Sequence, residues 1–464
     1  MAEETIFIYE ALIEAAKAGD VGRISELAET VHPADLARAY QDLDTEEEQS
    51  TFIEALGPER LAPVMRDIPA ELVEETLEHL NEEDLSTVLD EVSDDVRVDL
   101  LQELPRETQT RYLDLLEDDD QQLTSDLMKF AGETAGGRMT TAIARIRGHV
   151  TVKEAIDELR PQEEETEFLS RIYVVDDRDR LVGRVRLRDL TFATWDTPIE
   201  SIMQAELTTI LADADQEEAA NLLKRYDLMT LPVVDEFNHL LGVITHDDAM
   251  EILEEEASED IEKIAGIAGD SGEETYLNTP VWTHFKRRFP WLLVLAYAAI
   301  ASGWVMIHFD EVLSKAYILA LFLPMVVAAG GNTGGQASTM VIRGIALGEV
   351  DNSKALRVFN KEARLGLMLG SLLGISVFAL CLVVMPAFNV QLPDGMALTR
   401  FAFAVSLSLG VQVATSTIIG GLLPIGARAA KQDPAVIASP VITTMVDVSG
   451  MVIYFGAAKL ILGI

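Results

Sequence analysis

The chain has 464 residues, 78 Asp and Glu against 36 Lys and Arg, one cysteine and 48% hydrophobic residues, which is too long for one compact domain. Residues 280–464 hold 8 acids and 13 bases, whereas residues 1–279 hold 70 acids and 23 bases, a net of −47. So acidic a front section repels phosphate backbones, excludes nucleic acid as a partner and favours cations, and the lone Cys381, set in an apolar run, excludes an internal disulfide.

The opening MAEETIFIYEALIEAAKAGD carries acids and lacks the basic region and cleavage site of a secretory signal, so the N-terminus is expected in the cytoplasm. Residues 1–130 read as an all-α N-terminal domain. Apolar residues recur near every 3.6 positions, as in Ile24-Leu27, Leu36-Tyr40, Phe52-Leu56, Leu61-Met65 and Leu72-Leu77. Pro33, Pro58, Pro69 and Pro105 stand at helix starts. The pieces HPADLARAY, GPERLAPVM and NEEDLSTVL each join a cap to an amphipathic turn, which predicts a superhelical stack. Its acids are a solvated face, an adaptation to salt (only 11 of the bases are Lys) or cation sensors.

Residues 131–250 contain a repeat, with copies at about 138–198 and 199–250. RIYVVDDRDRLVGRVRLRDL and TLPVVDEFNHLLGVITHDDA superimpose, matching Val174 with Val233, Asp176 with Asp235 and Gly183 with Gly242; upstream, Met139 matches Met203. Each copy predicts helix, β-branched strand, acidic turn, a second strand through the glycine, and a closing helix. The pattern resembles an α/β tandem pair of CBS domains, a regulatory module that binds adenine nucleotides or cations. Thr245 and Asp248 match the module's ribose-contacting Thr-x-x-Asp, which implies an ATP-type ligand at the second copy; they could equally cap the following helix. The first copy has Arg186 in place of the Thr.

Residues 251–280 follow as an amphipathic linker with Glu251, Glu254, Glu255, Glu256, Glu259 and Asp260. Like charges one turn apart destabilise a bare helix, so cations should help it form; a solvated face is the other reading. From 281 to 464 uncharged stretches at 291–309, 316–342, 365–393 and 401–427, and a nearly uncharged one at 434–463, each exceed the roughly 18 residues needed to cross hydrocarbon. Five transmembrane helices are expected. Basic residues cluster before the first, after the second and before the fifth, which places the N-terminal section in the cytoplasm and the C-terminus outside.

Asp447 is the only acid well inside a span, at a cost of about 2.5–3.5 kcal/mol. Lys459 is roughly 18 Å further along the helix, too far to compensate. Ser439, Thr443 and Asp447 share one helix face, an oxygen-only stripe suited to hard cations; a hydrogen bond from Asp447 to another helix is the alternative. The run GGNTGGQ at 330–336 allows either close helix packing or local unwinding, with Asn332 and Gln336 as neutral oxygen ligands. Gly366, Gly370 and Gly374 read as packing. An intramembrane aspartyl enzyme would need two carboxylates sharing a proton, and one chain supplies one.

Together these segments resemble the MgtE family of magnesium transporters and channels over about residues 8–464. The resemblance rests on GGNTGGQ, the DPA at 433–435, the ITTMVDVSG around Asp447 and the linker EILEEEASEDI. It implies a homodimer in the inner membrane, with the second and fifth spans lining a pore. Asp447, Thr443, Ser439 and Asn332 then surround a hydrated Mg²⁺, and the linker is a plug helix. It also implies regulatory Mg²⁺ ligands at Asp215, Glu217, Asp227, Asp248, Glu251, Glu256, Glu259 and Asp260, with Glu83 and Asp84 from the N-terminal domain. Mn²⁺, Co²⁺ and Ni²⁺ share the preference for oxygen and similar hydrated sizes, and stay open as cargo.

Overall fold

The computed structural model describes residues 2–162, 166, 170–267, 279–389, 392 and 396–464, with the backbone alone at 2–7, 70–71 and 437–440. Two compact units divide between Ala257 and Ser258, inside the helix His246–Ala265, and each is described by itself.

Among the described residues the first unit opens with ten helices, from Ala2–Lys17 to Asp118–Leu127. Their starts follow the sequence signals: Pro33 and Pro58 occupy first-turn positions, and Pro69 and Pro105 are cap residues, where a missing N–H costs nothing. One core of Leu12, Ile24, Tyr40, Phe52, Leu61, Met65, Leu77 and Tyr112 runs through the stack, and Tyr40 shares a hydrogen bond with Thr76 at 2.8 Å.

The repeat then forms two three-stranded sheets of identical topology. Arg145–Arg147 pairs parallel with Arg171–Val175, which pairs antiparallel with Leu181–Arg186. In the second copy Ile210–Leu211, Thr230–Val234 and Leu240–Thr245 do the same. Val174 faces Gly183 and Val233 faces Gly242, and a bulge follows at the same place in both. The matched Met and Gly positions have a common cause, and it is crossed between copies. A Cβ at Gly242 would lie 2.6 Å from the Thr140 carbonyl and 2.9 Å from Met139 Sδ, and one at Gly183 would lie 3.0 Å from both Gln204 O and Met203 Sδ. Each copy's second strand thus needs glycine because the other copy's leading segment lies against it. Tyr173, Val175, Leu181, Val234, Leu240 and Val243 join the sheets.

In the second unit the helix Leu398–Ala429 packs against Leu319–Ala346, Ala355–Ala387 and Pro434–Leu462. Gly366, Gly370 and Gly374 meet Ala414, Gly410 and Ser406 of that central helix, with backbone contacts that a Cβ would close to 2.8, 2.4 and 3.0 Å. This is close packing of small residues, as the spacing predicts. Four helices among the described residues are long and apolar enough to cross a membrane: Val281–His308, Asn352–Ala387, Leu398–Ala429 and Pro434–Leu462. Five were expected, and the remaining one is the second. The second expected span does form a 28-residue helix, Leu319–Ala346, but GGNTGGQ and the following Ser338 and Thr339 lower its apolar content. The first is divided at Ala299 into Val281–Ala298 and Ile300–His308.

Candidate functional site

In the first unit the acids at the start of the His246–Ala265 helix gather around an arginine from the N-terminal domain. Thr245 is buried. Its amide donates to Asp248 Oδ2 at 3.2 Å; its hydroxyl, within reach of the Asp247 carboxylate at 2.5 Å and of Asp248, accepts from the Asp248 amide at 3.5 Å, so Thr245 and Asp248 cap this helix reciprocally. Arg66, at the end of the helix Pro58–Met65, reaches the same acids. Its Nη2 lies 2.8 Å from Asp248 Oδ1 and 3.4 Å from Glu251 Oε1, and Nη1 lies 3.5 Å from Asp247 Oδ2. The Asp248 side chain is 13% exposed, so this pair is shielded from salt more than a surface pair would be.

Asp95 faces the same acids. Burial, then the neighbouring Asp248 carboxylate, raises its carboxyl above the ordinary aspartate value, and Arg66 only partly offsets this. Among the described residues Asp95 Oδ1 is buried with no hydrogen-bond partner. Burial likewise raises Glu251, with Asp248 and Asp67 adding to it against Arg66. Further along the helix, Arg138 pairs with Glu255, and Gln216 Nε2 donates to Glu256 Oε1 at 2.7 Å.

The expected regulatory ligands are otherwise dispersed. Glu83 and Asp84 sit in the first turn of Glu82–Glu91, with their amides bonded to Asn81 at 3.0 Å; the N-terminal acid brought to Asp248 is Asp95. Asp215 caps the Gln216–Tyr226 helix through the Glu217 amide at 2.8 Å, and Asp227 ends that helix in a left-handed conformation with φ 52°. Among the described residues no three His, Cys, Asp or Glu side chains converge on one point. Basic side chains stand among the acids instead. The orphaned Asp95 oxygen lies close to the Asp248 carboxylate and to Arg66.

In the second unit Lys263 plays a part like that of Arg66. It pairs with Glu259 and, at 2.9 Å, with Asp433, and Asp433 caps the Pro434–Leu462 helix through the Ala435 amide at 2.7 Å. Burial, then Asp433, raises the Asp260 carboxyl. The linker residues 268–278 lie outside the described residues.

Asp447 is half-buried, Thr443 is exposed on the same helix one turn before it, and the Ser439 side chain lies outside the described residues. Among the described residues Asp447 has no hydrogen-bond or ion-pair partner, so a structural tie from it to another helix gains no support. GGNTGGQ stays helical and divides by face, so of the two readings the single chain shows close packing and not local unwinding. Gly330 and Gly334 are buried against Gln412, Ser416, Ile442 and Val446, while a Cβ added at Gly331 or Gly335 would meet nothing within 4 Å. Asn332 and Gln336 are exposed. One side of the motif is packing and the other is an open polar face.

Known proteins resemble this chain over most of its length. Residues 323–457 match the family model MgtE, a divalent cation transporter; residues 31–133 match the MgtE intracellular N domain; residues 135–196 and 199–255 match CBS domains. The magnesium transporter MgtE of Bacillus subtilis is 34% identical over 72% of this chain and 70% of its own length. The chain belongs to the MgtE family. The MgtE of Thermus thermophilus is 34% identical over 72% of each chain. Among solved structures, the cytosolic domain of the Mg²⁺ channel MgtE in complex with ATP aligns at TM-score 0.50 and 33% identity, covering 53% of this chain and 99% of that one. With four long apolar helices among the described residues, this MgtE protein is an integral membrane protein, and the two MgtE relatives above are named as magnesium transporters.

Two residues of these sites are not marked in the sequence. Asp95 lies in an acidic stretch that offers no distinguishing signal. Gln412, fully buried in the central helix, bonds to the Val446 carbonyl at 2.8 Å; a glutamine in the long uncharged run 401–427 was the available signal.

Proposed function

We propose that the protein carries Mg²⁺ across a cell membrane and that its cytoplasmic domains close the path when cytoplasmic Mg²⁺ is high. Family membership supports the cargo. The observation that carries the path is Asp447, a carboxylate without a partner among the described residues, on a helix packed against the open-faced GGNTGGQ segment. A second copy related by two-fold symmetry would cover that face and supply a second Asp447, so the working form is a homodimer. Five spans with the N-terminus in the cytoplasm and the C-terminus outside follow if Leu319–Ala346 also crosses, shielded by its neighbours.

Mg²⁺ sheds water reluctantly. Asp447, Asn332 and Thr443 therefore hold the hydrated ion by charge and hydrogen bonding. Mn²⁺, Co²⁺ and Ni²⁺ satisfy the same donors, and competition flux measurements rank them. For regulation, Asp95, Asp248 and Glu251 supply oxygens at the N-terminal domain, and Glu256, Glu259 and Asp260 supply them along the linker helix. A bound cation there neutralises carboxylates that would otherwise repel. Such sites shift an equilibrium only if they are better formed in one state. The test is the cleavage rate of the 250–275 linker by protease with and without Mg²⁺ in high monovalent salt. We expect Mg²⁺-specific protection that disappears when Glu256, Glu259 and Asp260 are neutralised together; protection reproduced by monovalent salt alone would reduce the acidity to a halophilic surface.

The second CBS copy is also proposed to take an adenine nucleotide at Thr245 and Asp248. Calorimetry with ATP tests this, and because Arg66 already engages Asp248, Arg66→Ala should tighten binding.

A further inference from the structure

Gln412 is the one fully buried side-chain amide in the described membrane section. An amide without partners in an apolar interior costs about 2–7 kcal/mol depending on reference, so its surroundings must hold it. Nε2 donates to the carbonyl of Val446 at 2.8 Å. That carbonyl also accepts from Ser449 Oγ at 3.2 Å, and its two lone pairs accommodate such sharing. Gln412 Oε1 and Ser416 Oγ, one helical turn apart, are buried without a partner among the described residues. The amide fits because two glycines flank it. A Cβ at Gly330 would lie 2.6 Å from Nε2, and one at Gly450 would lie 2.9 Å from it.

Gln412 therefore reaches between the GGNTGGQ helix and the helix that bears Asp447, and grips the backbone one residue before that carboxylate. A helix turns about 100° per residue. Any rotation or sliding of Pro434–Leu462 that re-aims Asp447 must carry the Val446 carbonyl away from the amide. Apolar packing of Ile442 and Val446 against glycines leaves such sliding cheap; a directional bond from a buried donor does not.

We infer that Gln412 is a positioning residue for ion passage, fixing the rotation and depth of the Asp447 carboxylate from the neighbouring helix. This rests on the reading of Asp447 as the ion-holding group.

The test uses the full chain in proteoliposomes, measuring Mg²⁺ flux and the ratio of Mn²⁺ to Mg²⁺ flux. Gln412→Met keeps length and volume and removes the donor. It should fold as the parent does, lower Mg²⁺ flux by about tenfold or more and change the Mn²⁺/Mg²⁺ ratio, because a loosened group holds the ion less selectively. Ser408→Ala is the control: Ser408 is equally buried in the same helix but bonds to its own helix, at the Ala404 carbonyl, at 2.6 Å, and it should leave both readouts unchanged. If Gln412→Met fails to fold, Gln412→Asn, which keeps the donor but shortens its reach, is judged by the same criteria. Parent-like flux and ratio in the folded variant, while Asp447→Ala is silent, would overturn the positioning role alone. Parent-like flux in Asp447→Ala would instead sink the pore reading beneath it.

Discussion

Arg66 and Asp248, 182 positions apart in sequence, meet at 2.8 Å. The contact joins the N-terminal helices to the first turn of the helix that leads toward the membrane section. An internal guanidinium thus supplies positive charge among carboxylates that the family resemblance assigns to a cation.

Replacing Arg66 by Ala should loosen this junction in divalent-free buffer. A partly shielded charged hydrogen bond is worth about 1.5–3 kcal/mol, and its loss leaves Asp248 facing Asp95 uncompensated. Hydrogen exchange of the 246–257 amides should accelerate, and millimolar Mg²⁺ should restore much of the protection. Unchanged exchange without Mg²⁺ would show that the pair adds nothing to docking.

Protons should act in the same direction as cations here. The groups facing one another are Arg66, Asp67, Asp95, Asp247, Asp248 and Glu251. Asp95 and Glu251 are raised above their ordinary values, so the docked state binds protons more readily than the separated one. Its stability rises as pH falls through those raised values and stops gaining once pH is below the ordinary carboxyl range. Asp247 is lowered, with Thr245 and Arg66 outweighing its burial, and opposes this in part. Divalent-free exchange at the junction should therefore be better protected at about pH 5 than at about pH 7.5, after correction for intrinsic rates. Asp95→Asn should reproduce the gain at neutral pH and abolish most of its pH dependence. Protection that falls steadily on acidification would contradict the sign.

Much of this architecture was readable in the residues. Pro33 and Pro58 start helices because their fixed φ suits a first turn, and the matched Val174/Gly183 and Val233/Gly242 pairs specify two like sheets. Arg66 and Asp95 were not readable: each is one charge among many, and only packing across more than 150 positions selects it. The contrast between Gly330 and Gly331 was hidden for a related reason. GGNTGGQ states that backbones come close, but not which side of the helix they meet.

That division makes a prediction. Gly330→Ala places a methyl 2.6 Å from Gln412 Nε2 and 2.9 Å from Ser416 Oγ, an overpacking worth about 1–3 kcal/mol. Gly331→Ala meets nothing within 4 Å in the single chain. In detergent, Gly330→Ala should melt lower than the parent and Gly331→Ala should not. If Gly331→Ala also leaves the fold intact yet lowers flux, the open face is in use, as the proposed dimeric pore requires. Equal melting of the two variants would contradict the assignment of faces.

The central claim is that Asp447 holds the passing ion, and Mg²⁺ uptake into proteoliposomes by Asp447→Ala and Asp447→Asn, each checked for folding and dimer formation, tests it most directly. Both variants should assemble as the parent does, with uptake abolished in the first and nearly so in the second. Uptake at the parent rate by either correctly assembled variant would contradict the account.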